Sequence, residues 1–209
     1  MQQAAYDWTG FYIGANGGYG WASSKLTAPG NPDTSSSPSG GFAGGQLGYN
    51  WQTGAIVLGV EGDGDWANIR GSTNCPGAAF VCASNTRALA TLRGRIGWAA
   101  GPVLLYGTAG GAYANERYTA LTPAGGAFVG TTGVNDADRW GYAAGAGVEY
   151  GFTPNWSAKV EYMHYGFDST RAPQGTLAPG PVPVDLHLNI DTVKVGVNYR
   201  WGGPVIAKY

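Results

Sequence analysis

The segment 192–201, Thr-Val-Lys-Val-Gly-Val-Asn-Tyr-Arg-Trp, alternates strictly between apolar and polar residues. Val193, Val195, Val197, Tyr199 and Trp201 fall on one parity; Thr192, Lys194, Gly196, Asn198 and Arg200 fall on the other. Successive side chains of a strand point to opposite faces, so this period predicts a strand with one greasy and one wet side. A helix would need a period near 3.6, and no helical stripe of useful length occurs elsewhere in the chain.

The same alternation returns in segments 10–21, 43–52, 57–66, 87–98, 140–152 and 156–165, and less cleanly in 103–114. That predicts eight strands of roughly 10–13 residues. Three connections are tight, at Thr53-Gly54, Gly101-Pro102 and Thr153-Pro154-Asn155, all turn-forming residues. Four are long, near 23–40, 70–86, 118–138 and 168–186, and rich in Gly, Pro, Ser, Thr and Asn. Short turns at one end and long loops at the other are expected of an up-and-down antiparallel barrel. The chain reads as one domain over 1–209, with a lead (1–8), the barrel (9–201) and a tail (202–209). Its opening Met-Gln-Gln-Ala-Ala reads as the start of a mature chain, without a signal peptide.

Composition narrows the environment. Gly supplies 37 of 209 residues, and Leu, Ile, Val and Phe together supply no more. An ordinary large aliphatic core is excluded. Disorder is disfavoured by a net charge of −1 and by 8 Trp and 13 Tyr. The charge balance also argues against a nucleic-acid binder. No apolar run approaches the roughly 18–20 residues of a membrane-spanning helix.

The tryptophans fall at strand ends. Trp8, Trp51, Trp98, Trp156 and Trp201 mark the short-turn end; Trp21, Trp66 and Trp140 mark the long-loop end. About ten residues of strand separate the two levels, on the order of 25 Å at about 45° tilt. That is the height of the apolar band between the aromatic girdles of an outer-membrane barrel. The polar parity carries Glu61, Asp63, Asp65, Arg93, Arg95, Glu149, Lys159, Glu161, Lys194 and Arg200. Five acids and five bases on the inside exclude an apolar ligand cavity. They suit a narrow lumen filled by ion pairs, inside a barrel whose apolar exterior meets lipid.

Four blocks carry a family likeness: Tyr6-Asp7-Trp8-Thr9-Gly10-Phe11-Tyr12-Ile13-Gly14, Arg93-Gly94-Arg95-Ile96-Gly97, Trp156-Ser157-Ala158-Lys159-Val160-Glu161-Tyr162, and Val195-Gly196-Val197-Asn198-Tyr199-Arg200-Trp201. On these the chain resembles the small eight-stranded outer-membrane proteins of alphaproteobacteria, the outer-membrane immunogenic or surface-antigen group, related to the OmpA-type barrel and often labelled porins. The resemblance implies an all-β transmembrane barrel in the Gram-negative outer membrane, with short turns toward the periplasm and long loops outside. The tail Gly202–Tyr209 departs from barrels that end on an aromatic of the final strand.

Function is read at three levels. The first is a structural, non-enzymatic surface protein with a plugged lumen and no cofactor. The second is a small porin, with Gly14, Gly18, Gly44, Gly48, Gly145, Gly147 and Gly196 leaving room beside the inward charges. The third is a surface binder; some relatives of the group are described as haem-binding, and His164 and His187 on the last two strands are the candidate ligands. Two expectations concern partners. Ala43, Gly45, Gly62, Gly64, Ala88, Ala90 and Gly94 make a smooth lipid-facing patch suited to lateral contact between copies. Lys25, Arg70, Arg87, Arg117, Arg139 and Arg171 lie in or near the long loops, where they meet either water or lipopolysaccharide phosphates. Cys75 and Cys82 either close a small disulfide loop or stay as thiols. No metal-ligand spacing of Cys and His is present.

Overall fold

The computed structural model describes residues 6–27, 34–74, 81–121, 134–172 and 184–201. Cys75 and the tail 202–209 lie outside the described residues, as do the side chains of Cys82 and His187.

The described residues form nine strands: β1 (Gly10–Thr27), β2 (Thr34–Ser36), β3 (Ser39–Thr53), β4 (Ile56–Asn74), β5 (Val81–Ala100), β6 (Val103–Leu121), β7 (Val134–Gly151), β8 (Trp156–Ala172) and β9 (Val184–Trp201). Each long strand pairs antiparallel with the next, and β1 pairs with β9 from Phe11↔Trp201 to Thr27↔Asp185. The result is a closed barrel of eight long strands. The short β2 continues the line of β3 along β1, with Ser24 opposite Ser36. Pro38 separates the two; it has no N–H for the ladder, yet its carbonyl still accepts from Ala22 N at 2.7 Å.

Burial follows the predicted parity. From Thr91 to Ala99, odd positions of β5 are buried and even positions exposed. Large apolar side chains cover the outside, among them Phe11, Leu47, Leu92 and Ile96. Seven of the eight tryptophans point outward near the strand ends. At the turn end they join aromatic ladders, Phe11–Tyr49–Trp51 and Trp156–Tyr199–Trp201, with centroids 4.5–5.3 Å apart.

The structure corrects several expectations. The long strands run to 15–20 residues and extend into segments read as loops, such as 23–27, 70–74 and 81–86. There both faces carry Ser, Thr, Asn and Gly, so no alternation betrays the strand even though the backbone still pairs. The first hairpin turns on Gly54-Ala55, because Thr53 pairs with Ile56. Gly54 and Gly101 each hold φ +60 at the first central position, and no other residue type among those described has a positive φ. That is the type II′ pattern, which matches the strand twist. In β6 the alternation is weak because Leu104 and Tyr106 point inward while Leu105 points outward.

Trp8 is the main correction to the girdles. It is completely buried at the turn end of the interior. Its amide donates to Gln52 Oε1 at 2.7 Å and its indole N–H to the Gly101 carbonyl at 3.2 Å. The interior is also not uniformly polar. Trp8, Val57, Ala99, Leu104 and Tyr106 form an apolar layer at the turn end. Ile69, Leu89, Met163, Tyr165, Phe167 and Ile190 anchor another toward the loops.

Candidate functional site

Between the two apolar layers lies a charged one. Arg93 sits at its centre, fully buried. Its Nη2 donates to Glu61 Oε1 and to Asp63 Oδ2, both at 2.7 Å, and its Nη1 to Glu161 Oε1 at 3.1 Å. Lys159 Nζ donates to both Glu61 oxygens at 2.8 and 2.9 Å. Lys194 Nζ bridges Asp63 and Asp65, 2.9 Å from each. Arg95 Nη2 donates to Glu149 Oε2 at 2.9 Å, and its guanidinium lies 4.0 Å from the centre of the Tyr106 ring.

Neutral groups occupy several of the remaining lone pairs. Tyr12 Oη donates to Glu61 at 2.8 Å and Tyr106 Oη to Glu161 at 2.9 Å. Ser157 Oγ and Asn198 Nδ2 donate to Glu149 Oε1. Asn16, Gln46 and Asn198 form an amide chain with links of 2.6 and 2.7 Å. These partners come from all eight long strands, so the interior side chains tie the wall together across the lumen. A buried charge survives only when paired and hydrogen-bonded, and each of these acids is.

All ten inward charges expected from the sequence are buried. Nine form this layer. Arg200 does not: it stacks 4.8 Å from the ring centres of both Tyr6 and Trp8 and donates to Tyr6 Oη. Sequence reasoning missed Glu116, whose Oε2 lies 2.6 Å from Arg139 Nε above the loop-side apolar layer. Arg139 is therefore an interior residue and not a solvated loop charge. The parity Ala112, Ala114, Glu116 carried that signal, but it ran past 114, where the strand was expected to end. Tyr12, Tyr106, Asn16 and Gln46 were also missed as network members, though all lie on the inward parity.

The inward glycines do not leave open space. A Cβ on Gly48 would collide with Tyr12 Oη, on Gly147 with Tyr106 Oη, on Gly145 with Met163 Sδ, on Gly44 with Asp65 and on Gly18 with Phe42. On Gly14 and Gly196 it would meet Gln46 Nε2. Each glycine makes room for a long neighbour, so the reading of these positions as vacant pore lining is overturned.

On the outside, His164 Nδ1 lies 2.8 Å from Asp191 Oδ1, which also accepts from Tyr162 Oη at 2.6 Å. Among the described residues, no group of three His, Cys, Asp or Glu side chains is set to hold a metal ion. Ala43, Gly45, Gly62, Gly64, Ala88, Ala90 and Gly94 all lie on the outward parity of β3, β4 and β5, with Gly45, Gly64 and Ala90 in one cross-strand row.

Comparison with known proteins places the chain. The family model described as "Outer membrane protein beta-barrel domain" matches residues 1–200. The 31 kDa outer-membrane immunogenic protein of Brucella melitensis is 31% identical, over 94% of this chain and 85% of that one. The 22 kDa outer membrane protein of Rhizobium leguminosarum is 33% identical, over 79% and 67% respectively. Among solved structures, OprG of Pseudomonas aeruginosa shares the fold with a TM-score of 0.56 at 13% identity, covering 92% of this chain and 97% of that one. The chain belongs to the outer-membrane β-barrel protein family and is a protein of the outer membrane.

Proposed function

We propose that this protein is a structural, non-enzymatic element of the outer-membrane surface, whose barrel is closed to solutes by its own side chains. The observation that carries this reading is the layering of the interior. A charged network contributed by eight strands lies between two apolar layers. Eight strands enclose a lumen just wide enough for side chains to fill. A permeating ion would have to displace Arg93 or Lys194 from paired acids and then cross a dry layer. The acids are held by fixed cations, which suits a wall and not a general acid or base. With short turns toward the periplasm, the long-loop end is the face the cell presents.

The test is single-channel recording of the folded protein in a planar bilayer, with insertion verified by protease protection. A silent membrane is expected. Discrete, reproducible openings would make the protein a small porin and overturn the proposal.

A further inference from the structure

Two arginines on the outer wall differ from every cation inside. Arg70 on β4 and Arg87 on β5 are exposed and have no acid or hydrogen-bond partner among the described residues. Arg87 is the residue squeezed out of the β5–β6 ladder, where Thr86 pairs with Glu116 but Ala88 pairs with Asn115. A bulge re-aims a side chain, and this one sends a guanidinium outward. Arg70 stands one strand over, where it pairs with Asn85.

Below Arg87 on β5, toward the bilayer, the wall is hollow. An open groove of about 630 Å³ runs over β5 and β6, floored by Ala90 and Gly111 and walled by Leu92, Tyr113 and Trp140. Leu92 and Trp140 are 72% and 71% exposed, so they stand off the surface as fins. Trp66, 81% exposed, stands on the other side beside Ala88. Asp138, an exposed acid on the neighbouring β7, accepts from Tyr113 Oη at 2.7 Å and Asn115 Nδ2 at 2.9 Å.

We propose that this groove with Arg70 and Arg87 is a binding site for one membrane lipid whose phosphate-bearing headgroup is net negative: an acyl chain lies between Leu92 and Trp140, and the anionic headgroup meets the two guanidiniums. Charge complementarity selects the occupant. Unpartnered guanidiniums three to five residues along the wall from an apolar groove, on its loop side, call for an amphiphile with an anionic head, and guanidinium–phosphate bonds are strong and directional. The inference is independent of whether the lumen conducts.

The experiment is lipid titration of the full chain in neutral detergent, read by native mass spectrometry. The probes are dimyristoyl phosphatidic acid, dimyristoyl phosphatidylcholine and inorganic phosphate. One phosphatidic acid adduct is expected, with the zwitterionic lipid roughly tenfold weaker. Arg70→Gln and Arg87→Gln should each weaken it roughly fivefold. Gly111→Leu should also weaken it by filling the floor; no atom lies within 4 Å of a Cβ there, so the fold tolerates it. Heat-shifted gel mobility confirms folding of each variant. The proposal is overturned if the two lipids bind alike, if the Arg variants bind like the parent, or if inorganic phosphate displaces the lipid as well as free lipid does. It is equally overturned if a second copy of the chain occupies the groove in place of lipid.

Discussion

Replacing Arg93 by Met keeps most of the stem packing and removes the one group that touches Glu61, Asp63 and Glu161 together. None of the three acids is left bare. Glu61 keeps Lys159 and Tyr12, Asp63 keeps Lys194, and Glu161 keeps Tyr106 with Lys159 at 4.0 Å. The layer nevertheless falls from four cations against five acids to three against five. Breaking one buried pair typically costs about 3–5 kcal/mol. The surviving partners hold the loss for all three acids near that range, at about 4 kcal/mol. With a urea slope of about 2 kcal/mol per M, the unfolding midpoint in lipid vesicles drops by about 2 M. Tryptophan emission reads the transition. Glu61→Gln alone takes the nearest acid from Lys159 and one of three acids from Arg93, but in the Arg93→Met background it removes a surplus acid. The two losses should therefore fall short of additivity by about 2 kcal/mol. A midpoint shift under about 0.5 M, or two losses that simply add, would refute the idea that the layer acts as one coupled network.

Neighbouring residues on opposite faces give two further contrasts, and the turn-end layer gives a third test. Gly110→Ala drives a methyl into the Leu92 carbonyl and the Arg93 backbone and should cost about 1–3 kcal/mol in the same titration, whereas Gly111→Ala meets nothing and should be neutral or slightly stabilising. Leu92→Arg places a charge on the lipid side, midway along β5 between Trp98 and Ala88, and should cost about 2–4 kcal/mol although an arginine at the next position is native. Trp8→Ala removes the ring that packs on both Tyr6 and Arg200 and should cost about 3–5 kcal/mol; a loss below about 1 kcal/mol would show that the turn-end layer does not support the barrel.

What was legible in the sequence follows from what a period of two encodes. Parity tells a residue's face, so Glu61, Arg93 and Lys194 could be assigned to the interior from the alternation alone. Parity says nothing about which residues meet across the lumen. Arg93 opposes Glu61 on the adjacent strand, but it also reaches Glu161 on β8, a contact set by barrel stagger. Pattern reading also fails where both faces share a character. At the turn end Leu104 and Leu105 are both apolar; beyond the loop-side girdle both faces are polar, which hid Glu116 and Arg139. Trp8 precedes the first strand and has no parity to follow, so its sequence position groups it with the rim aromatics while the fold turns it inward.

The pairing of β1 with β9 joins the first long strand to the last, and Tyr6 to Arg200 across nearly the full length of the chain. Until that seam closes, two strands face hydrocarbon with unpaired amides and carbonyls, which lipid cannot solvate. A half-barrel in lipid would leave both of its edges unsatisfied. Insertion and folding must therefore finish as one event, timed by the arrival of β9, and a chain cut short before Trp201 would lack the partner that lets it enter the membrane at all.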